Sequence, residues 1–118
     1  LDLNGFKPIN DQYGHEVGDQ LLRAVSQRFR RSLPNHSTLA RLGGDEFGAL
    51  ISGDFESTME AALALHASAS YPFSIAGETI MIGVSVGFVT NDGTRDMMHR
   101  ADQAMYKAKR EDLGVCQL

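Results

Sequence analysis

The chain turns most sharply at Gly43-Gly44. The apolar run Thr38-Leu39-Ala40-Arg41-Leu42 leads into the pair and Phe47-Gly48-Ala49-Leu50-Ile51 leads out. Two strand-like runs joined by two glycines predict a β-hairpin, because glycine accepts the positive φ angles that a tight turn requires. Asp45 and Glu46 follow the glycines directly, so two like charges sit together at the apex. Either they are solvated turn residues, or a divalent cation with a phosphate ligand holds them there.

With 118 residues the chain suffices for one core and is too short for two. A net charge of −4 argues against nucleic acid as the main partner. The longest apolar stretch, Thr79 to Val89, is too short to span a bilayer, and no secretion signal stands in the sequence. Cys116 is the only cysteine and has no disulfide partner, which fits a reducing cytoplasm.

In chain order, Leu1-Asp2-Leu3 reads as the end of a buried strand whose earlier part lies ahead of this chain, and Asn4-Gly5 as its turn. Phe6 and Ile9 anchor a short helical turn with Pro8 near its start, followed by a polar connection over Asn10-Asp11 and Tyr13-Gly14-His15. A helix is expected from about Glu16 to Ser32, with Val17, Leu21, Ala24, Val25 and Phe29 on its buried face. Asp19, near its first turn, either complements the helix dipole or accepts hydrogen bonds from a ligand.

After the hairpin, an alanine-rich helix is expected over Glu56 to Ser70, with Met59, Ala62, Leu63, His66 and Ala67 inward. Tyr71–Ile75 and Glu78–Val89 read as a second hairpin around Ala76-Gly77. In its long strand Ile80, Ile82, Val84, Val86 and Phe88 share one face. Met81, Gly83, Ser85 and Gly87 share the other, where small residues let another element approach closely. A third helix is expected from Thr94 to about Lys109, packed through Met97, Ala101, Ala104, Met105 and Ala108. Lys107, Lys109 and Arg110 at its end either complement the dipole or clamp phosphate. Val115 to Leu118 is a candidate last strand. Helices interleaved with hairpins predict one α+β domain over residues 1–118, a mostly antiparallel sheet flanked by helices.

Three separated motifs resemble the GGDEF domain of diguanylate cyclases, whose fold is like the palm of nucleotidyl cyclases and polymerases. They are Leu1 to Asp11 with Tyr13-Gly14-His15, Arg41 to Phe47, and Ala101 to Lys109; Val84-Ser85-Val86-Gly87 adds a weaker fourth. The resemblance implies a domain that condenses two GTP into cyclic di-GMP with loss of pyrophosphate. Two Mg²⁺ ions per GTP site, or Mn²⁺, are implied on Asp2, the Leu3 carbonyl and Asp45, with Asp45 and Glu46 as the catalytic acids. Asn10 and Asp19 match the guanine-recognising residues. Gly43 and Gly44 let GTP approach the hairpin, Phe6 and Lys7 offer backbone amides to phosphate, and Lys109 holds the terminal phosphates. The implied partners are GTP, cyclic di-GMP, a facing second copy, and sensor or phosphodiesterase domains in a longer protein, which is cytoplasmic or membrane-anchored.

The chain departs from the family pattern in two places. Leu113 stands where members usually carry an arginine that helps clamp phosphate. Pro34 and Ser37 stand where many carry the Arg and Asp of a product-inhibition motif. The implied alternative is an inactive GTP-binding regulatory domain beside a phosphodiesterase domain.

Overall fold

Strand β1 (Asp2–Asn4) is only three residues long, yet it occupies the middle of the main sheet. On one side it pairs antiparallel with β3 (Glu46–Leu50), Asp2 opposite Glu46. On the other it pairs antiparallel with β6 (Gly83–Phe88), Asp2 opposite Ser85 and Leu3 opposite Val84. The hairpin partner β2 (Thr38–Gly43) lies outside β3, and β7 (Val115–Gln117) runs parallel to β6. The five-stranded order is therefore β2-β3-β1-β6-β7, antiparallel except at its last pair. This computed structural model describes all residues except 92, 94 and 118.

Alternation along the strands assigns one face to the core. Leu3, Phe47, Val84 and Val86 are buried there under α2 (His15–Ser32) and α3 (Phe55–Ala69). Leu21, Leu22, Val25 and Phe29 form the buried face of α2, and the Phe29 ring meets Phe47 edge-on at 5.4 Å. The opposite face carries Ser85 and Gly87, and α4 (Met97–Arg110) lies against it. A Cβ at Gly87 would come within 2.0 Å of the Met105 backbone nitrogen and 2.4 Å of the Ala101 carbonyl oxygen. The close approach expected at the small-residue face is therefore made by α4.

Four expectations are corrected. Helix α1 spans Phe6–Tyr13, so Asn10 and Asp11 are helical and do not form a connection. Phe6, Ile9 and Tyr13 recur at helical spacing and pack on the core, which outweighs the weak helix propensity of the polar residues between them. On α3 the packed side is Ala61, Ala62, Leu65 and Ala69, while Met59, Leu63 and Ala67 are exposed. An alanine-rich helix has no strong stripe to set its phase, and its small side chains allow the closer packing.

The long strand is broken as well. Glu78–Ile80 (β5) pairs with Phe73–Ile75 (β4) in a separate two-stranded sheet, across a turn with Ala76 and Gly77 both at positive φ, and the chain re-enters the main sheet at Gly83. Its alternation survives, since Ile80, Ile82, Val84, Val86 and Phe88 are all buried. Finally, Tyr71 and Pro72 are not in the strand. Arg28 binds the carbonyls of Ser68, Tyr71 and Pro72 at 2.6–3.2 Å and stacks 3.5 Å above the Phe73 ring. For the third helix, the described part begins at Met97; Thr94 and Leu118 lie outside the described residues. Among the described residues no helix is long and apolar enough to cross a membrane.

Candidate active site

The β2–β3 turn is anchored to β1 from both sides. The Phe47 N–H donates to the Leu1 carbonyl at 2.9 Å and the Leu3 N–H to the Asp45 carbonyl at 3.0 Å. This ladder sets Asp45 beside Asp2, although they are 43 positions apart in sequence (45 − 2). Partial burial, reinforced by the neighbouring Asp2 charge, pushes the Asp45 carboxyl above its usual 3.8. Lys109 completes the group: its Nζ donates to Asp2 Oδ2 at 2.7 Å, and that bond raises the ammonium pKa above 10.5. The close contact of α4 over Gly87 is what carries Lys109 to Asp2 at the start of β1.

The turn itself is open. Gly44 sits at φ 47°, and a Cβ at Gly43 or Gly44 would meet nothing within 4 Å. Arg41 Nε donates to the Gly44 carbonyl at 2.8 Å and so restrains the apex. Immediately after β1, Gly5 at φ 79° swings the chain into α1, whose first residues are Phe6 and Lys7. First-turn amides have no partner within a helix and form a natural seat for an anion. The helix begins four residues after Asp2 in sequence.

Asn10 and Asp19 lie on a second side, across the bend at Gly14 (φ 92°). Asn10 Nδ2 is 2.8 Å from His15 Nδ1, and the Asn10 side-chain oxygen Oδ1 lies over Gly18, the residue before Asp19. Asp19 is exposed and lines a polar concavity of about 230 Å³ with Leu22, Arg23, Ser26 and Arg41.

The fold therefore gathers Asp2, Asp45 and Lys109 beside the Gly43-Gly44 turn, while Asn10 and Asp19 lie on α1 and α2. Leu3 is fully buried behind Asp2. Glu46, opposite Asp2 in the sheet, borders a larger, mostly apolar cleft of about 630 Å³ between β3 and α4. Among the described residues no three His, Cys, Asp or Glu side chains converge as a ready metal cluster. Asp2 and Asp45 are a pair of hard oxygen donors, and a divalent ion there would need main-chain carbonyl, water or phosphate oxygens to complete its shell.

The family model for the diguanylate cyclase GGDEF domain matches residues 1–113. The chain belongs to the GGDEF domain family. It is 44% identical over 115 residues to the bifunctional diguanylate cyclase/cyclic di-GMP phosphodiesterase MucR of Pseudomonas aeruginosa, a match covering 92% of the chain and 17% of MucR. It is 42% identical over 120 residues to the cyclic di-GMP phosphodiesterase PdeR of Escherichia coli, covering 97% of the chain and 18% of PdeR. The chain thus spans less than a fifth of the length of either relative. The crystal structure of the GGDEF domain of YfiN (TpbB) from Pseudomonas aeruginosa superposes with a TM-score of 0.91 at 33% identity, covering 98% of the chain and 77% of that domain.

Sequence reasoning passed over two residues of this GGDEF site. His15 reads as part of a polar connection, and its spacing of five from Asn10 gains meaning only when Gly14 bends α1 back on α2. Arg41 stands within the signature, but only the hairpin register shows its side chain reaching the Gly44 carbonyl.

Proposed function

We propose that this GGDEF domain is one half of a diguanylate cyclase. The observation that carries the reading is the Asp2–Asp45 carboxylate pair, with Lys109 bonded to Asp2 at 2.7 Å, beside the open Gly43-Gly44 turn and the start of α1. Partial burial and the Asp2 charge raise the cost of ionising Asp45, and that cost falls when a cation shares the two carboxylates. The donor set therefore fits Mg²⁺ (or Mn²⁺) held by Asp2, Asp45 and the Leu3 carbonyl. When bound, such ions supply charge neutralisation and polarisation at the phosphates.

The chain's own residues do the rest. The glycine turn leaves room for a triphosphate against the backbone, the Phe6 and Lys7 amides receive its oxygens, and Lys109 shares its charge between Asp2 and the terminal phosphates. Asp19, an acceptor-only carboxylate, takes guanine N–H groups, and Asn10 adds an amide; an adenine would leave these groups mismatched. In the reaction, the 3′-oxygen of one GTP bonds to the α-phosphorus of the other as the bond to pyrophosphate breaks and the hydroxyl proton leaves, and the step is repeated in the opposite sense. Asp45 and Glu46 are the acids assigned to this chemistry. One domain presents one GTP, so turnover requires two facing copies within a longer protein carrying sensor or phosphodiesterase domains. Use of GTP places the domain in the cytoplasm, with the longer protein free to be membrane-anchored.

A second reading, a GTP-binding regulator without turnover, is favoured by Leu113, whose exposed side chain offers phosphate no charge, and by the kinship with PdeR. The two readings separate in one assay. The protein is incubated with GTP and Mg²⁺ while cyclic di-GMP formation and GTP affinity are both measured. The cyclase reading predicts product; tight GTP binding without product, even when dimerisation is forced, selects the regulator.

A further inference from the structure

We infer that Lys109 is a displaceable internal cation of the Asp2–Asp45 pair: its ammonium occupies a carboxylate that a divalent ion needs, and a triphosphate draws it away. Metal entry thereby becomes conditional on the nucleotide. The inference rests on the reading of Asp2 and Asp45 as the metal-holding pair.

Two neighbouring, half-buried carboxylates call for a cation. Lys109 supplies it from 107 positions away, its Nζ 2.7 Å from Asp2 Oδ2. The two ends of this ion pair differ in freedom. The Asp2 side chain is 16% exposed and the Lys109 side chain 42%, so the carboxylate is held in the fold while the ammonium is open to solvent. The backbone around Lys109 is fixed. Ala108 is buried, and its carbonyl accepts the Leu113 N–H at 2.9 Å, while the Lys107 carbonyl accepts the Glu111 N–H at 3.0 Å. What remains free to move is the flexible methylene stem, which can carry the ammonium to a new partner without disturbing α4.

An ammonium and a divalent ion compete for Asp2. The ammonium engages one carboxylate oxygen, and a dication on the other oxygen would stand a few ångströms from a like charge. A metal ion alone must therefore displace Lys109 or bear that repulsion, and either weakens its binding. A triphosphate reverses the balance, because its terminal oxygens offer the ammonium more negative charge than one carboxylate does. Once Lys109 turns to them, Asp2 is released to the metal. Metal and triphosphate then favour each other's binding by the same factor, as linkage requires.

The test measures Mn²⁺ binding to the protein carrying this domain, from the electron paramagnetic resonance signal of free Mn²⁺. It is run without nucleotide and with 3′-deoxy-GTP, which lacks the attacking hydroxyl and does not turn over. Lys109→Met keeps the stem and removes the charge, Lys109→Arg restores a charge, and Asp2→Asn and Asp45→Asn each remove a metal-holding carboxylate. Without nucleotide, Lys109→Met should tighten Mn²⁺ binding about tenfold, the order of one unit charge beside a dication in a solvent-exposed site. Lys109→Arg should bind as weakly as wild type, and the gain brought by the nucleotide should be smaller in Lys109→Met than in wild type. Local unfolding would loosen the metal, so tighter binding in the variant has no such explanation.

If Lys109→Met binds nucleotide-free Mn²⁺ no more tightly than wild type while Asp45→Asn weakens it, the counter-ion role is refuted and the metal-holding pair stands. Equal tightening in Lys109→Met and Lys109→Arg also refutes the role, since charge is then not the cause. If Mn²⁺ binding is undetectable, or is indifferent to both Asp2→Asn and Asp45→Asn with and without nucleotide, the metal-holding pair falls and the counter-ion role falls with it.

Discussion

Asp45 shows how far surroundings can move a single carboxyl. Its proton is held above the usual 3.8 by burial first and by the Asp2 charge second. The folded state therefore binds more protons than the unfolded state from pH 3.8 up to the raised midpoint, and stability falls as pH rises through that interval. Asp54 acts in the opposite sense. The Ser57 amide donates to its carboxylate at 2.9 Å and lowers its pKa below 3.8, so its contribution is present above 3.8 and is lost on further acidification. With divalent ions chelated, melting temperature against pH should thus rise to a maximum on the acidic side and decline toward neutrality. Asp45→Asn should flatten the declining limb and raise the neutral melting temperature by a few degrees. An unchanged limb in Asp45→Asn would show that the carboxyl is not strained.

The same residues separate chemistry from recognition. Asp45→Ala should abolish turnover while nucleotide affinity persists in part, because Asn10 and Asp19 lie on another side of the site. Asp19→Ala should weaken GTP binding about tenfold or more and erode discrimination against ATP, by the cost of leaving guanine donors unpaired. Nucleotide titration of the two variants checks the pair; loss of all GTP binding in Asp45→Ala alone would merge the two roles. At Leu113, an exposed position after α4, arginine should tighten GTP binding by adding a charged hydrogen bond worth about 1.5–3 kcal/mol. Unchanged affinity there would mean that the side chain points away from the phosphates.

Secondary-structure elements matter here mainly for what they deliver. The site depends on α4 lying close enough to β6 for Lys109 to reach Asp2, and Gly87 is the residue that permits it. Gly87→Ala should cost about 1–3 kcal/mol or more in urea unfolding, since backbone atoms cannot yield as a flexible side chain would. It should also lower activity by displacing Lys109. That contact was legible in the sequence, because the alternation of Gly83, Ser85 and Gly87 with large apolar residues marks a face built for close approach. The hairpin was legible for another reason: two glycines between apolar runs accept the positive φ that a tight turn needs, and Gly44 adopts it. The phase of α3 was not, because alanines give no amphipathic contrast. Nor was the break at Met81-Ile82, which arises from competition between two sheets and leaves the alternation untouched. The Arg28 clamp depends on three carbonyls more than 39 residues away, and a sequence lists no such partners. At the site, residue types marked Asp2, Asp45 and Lys109, whereas the roles of His15 and Arg41 emerge only from contacts.

At the scale of the molecule, the sheet order puts Asp2 and Asp45 at one end of β1 and β3, with Asn10 and Asp19 on α1 and α2. The family resemblance implies an inhibitory Arg and Asp at the positions that Pro34 and Ser37 occupy, so cyclic di-GMP should find no tight site on the Leu33–Ser37 turn, and calorimetric titration showing a sub-micromolar complex there would contradict this. The measurement that bears most directly on the whole account is cyclic di-GMP formation from GTP by the full-length protein, with Mg²⁺ and after its chelation, in wild type and in Asp2→Asn. Product is expected only in wild type with Mg²⁺, and wild-type protein that binds GTP yet forms no cyclic di-GMP when dimerised would overturn the cyclase reading.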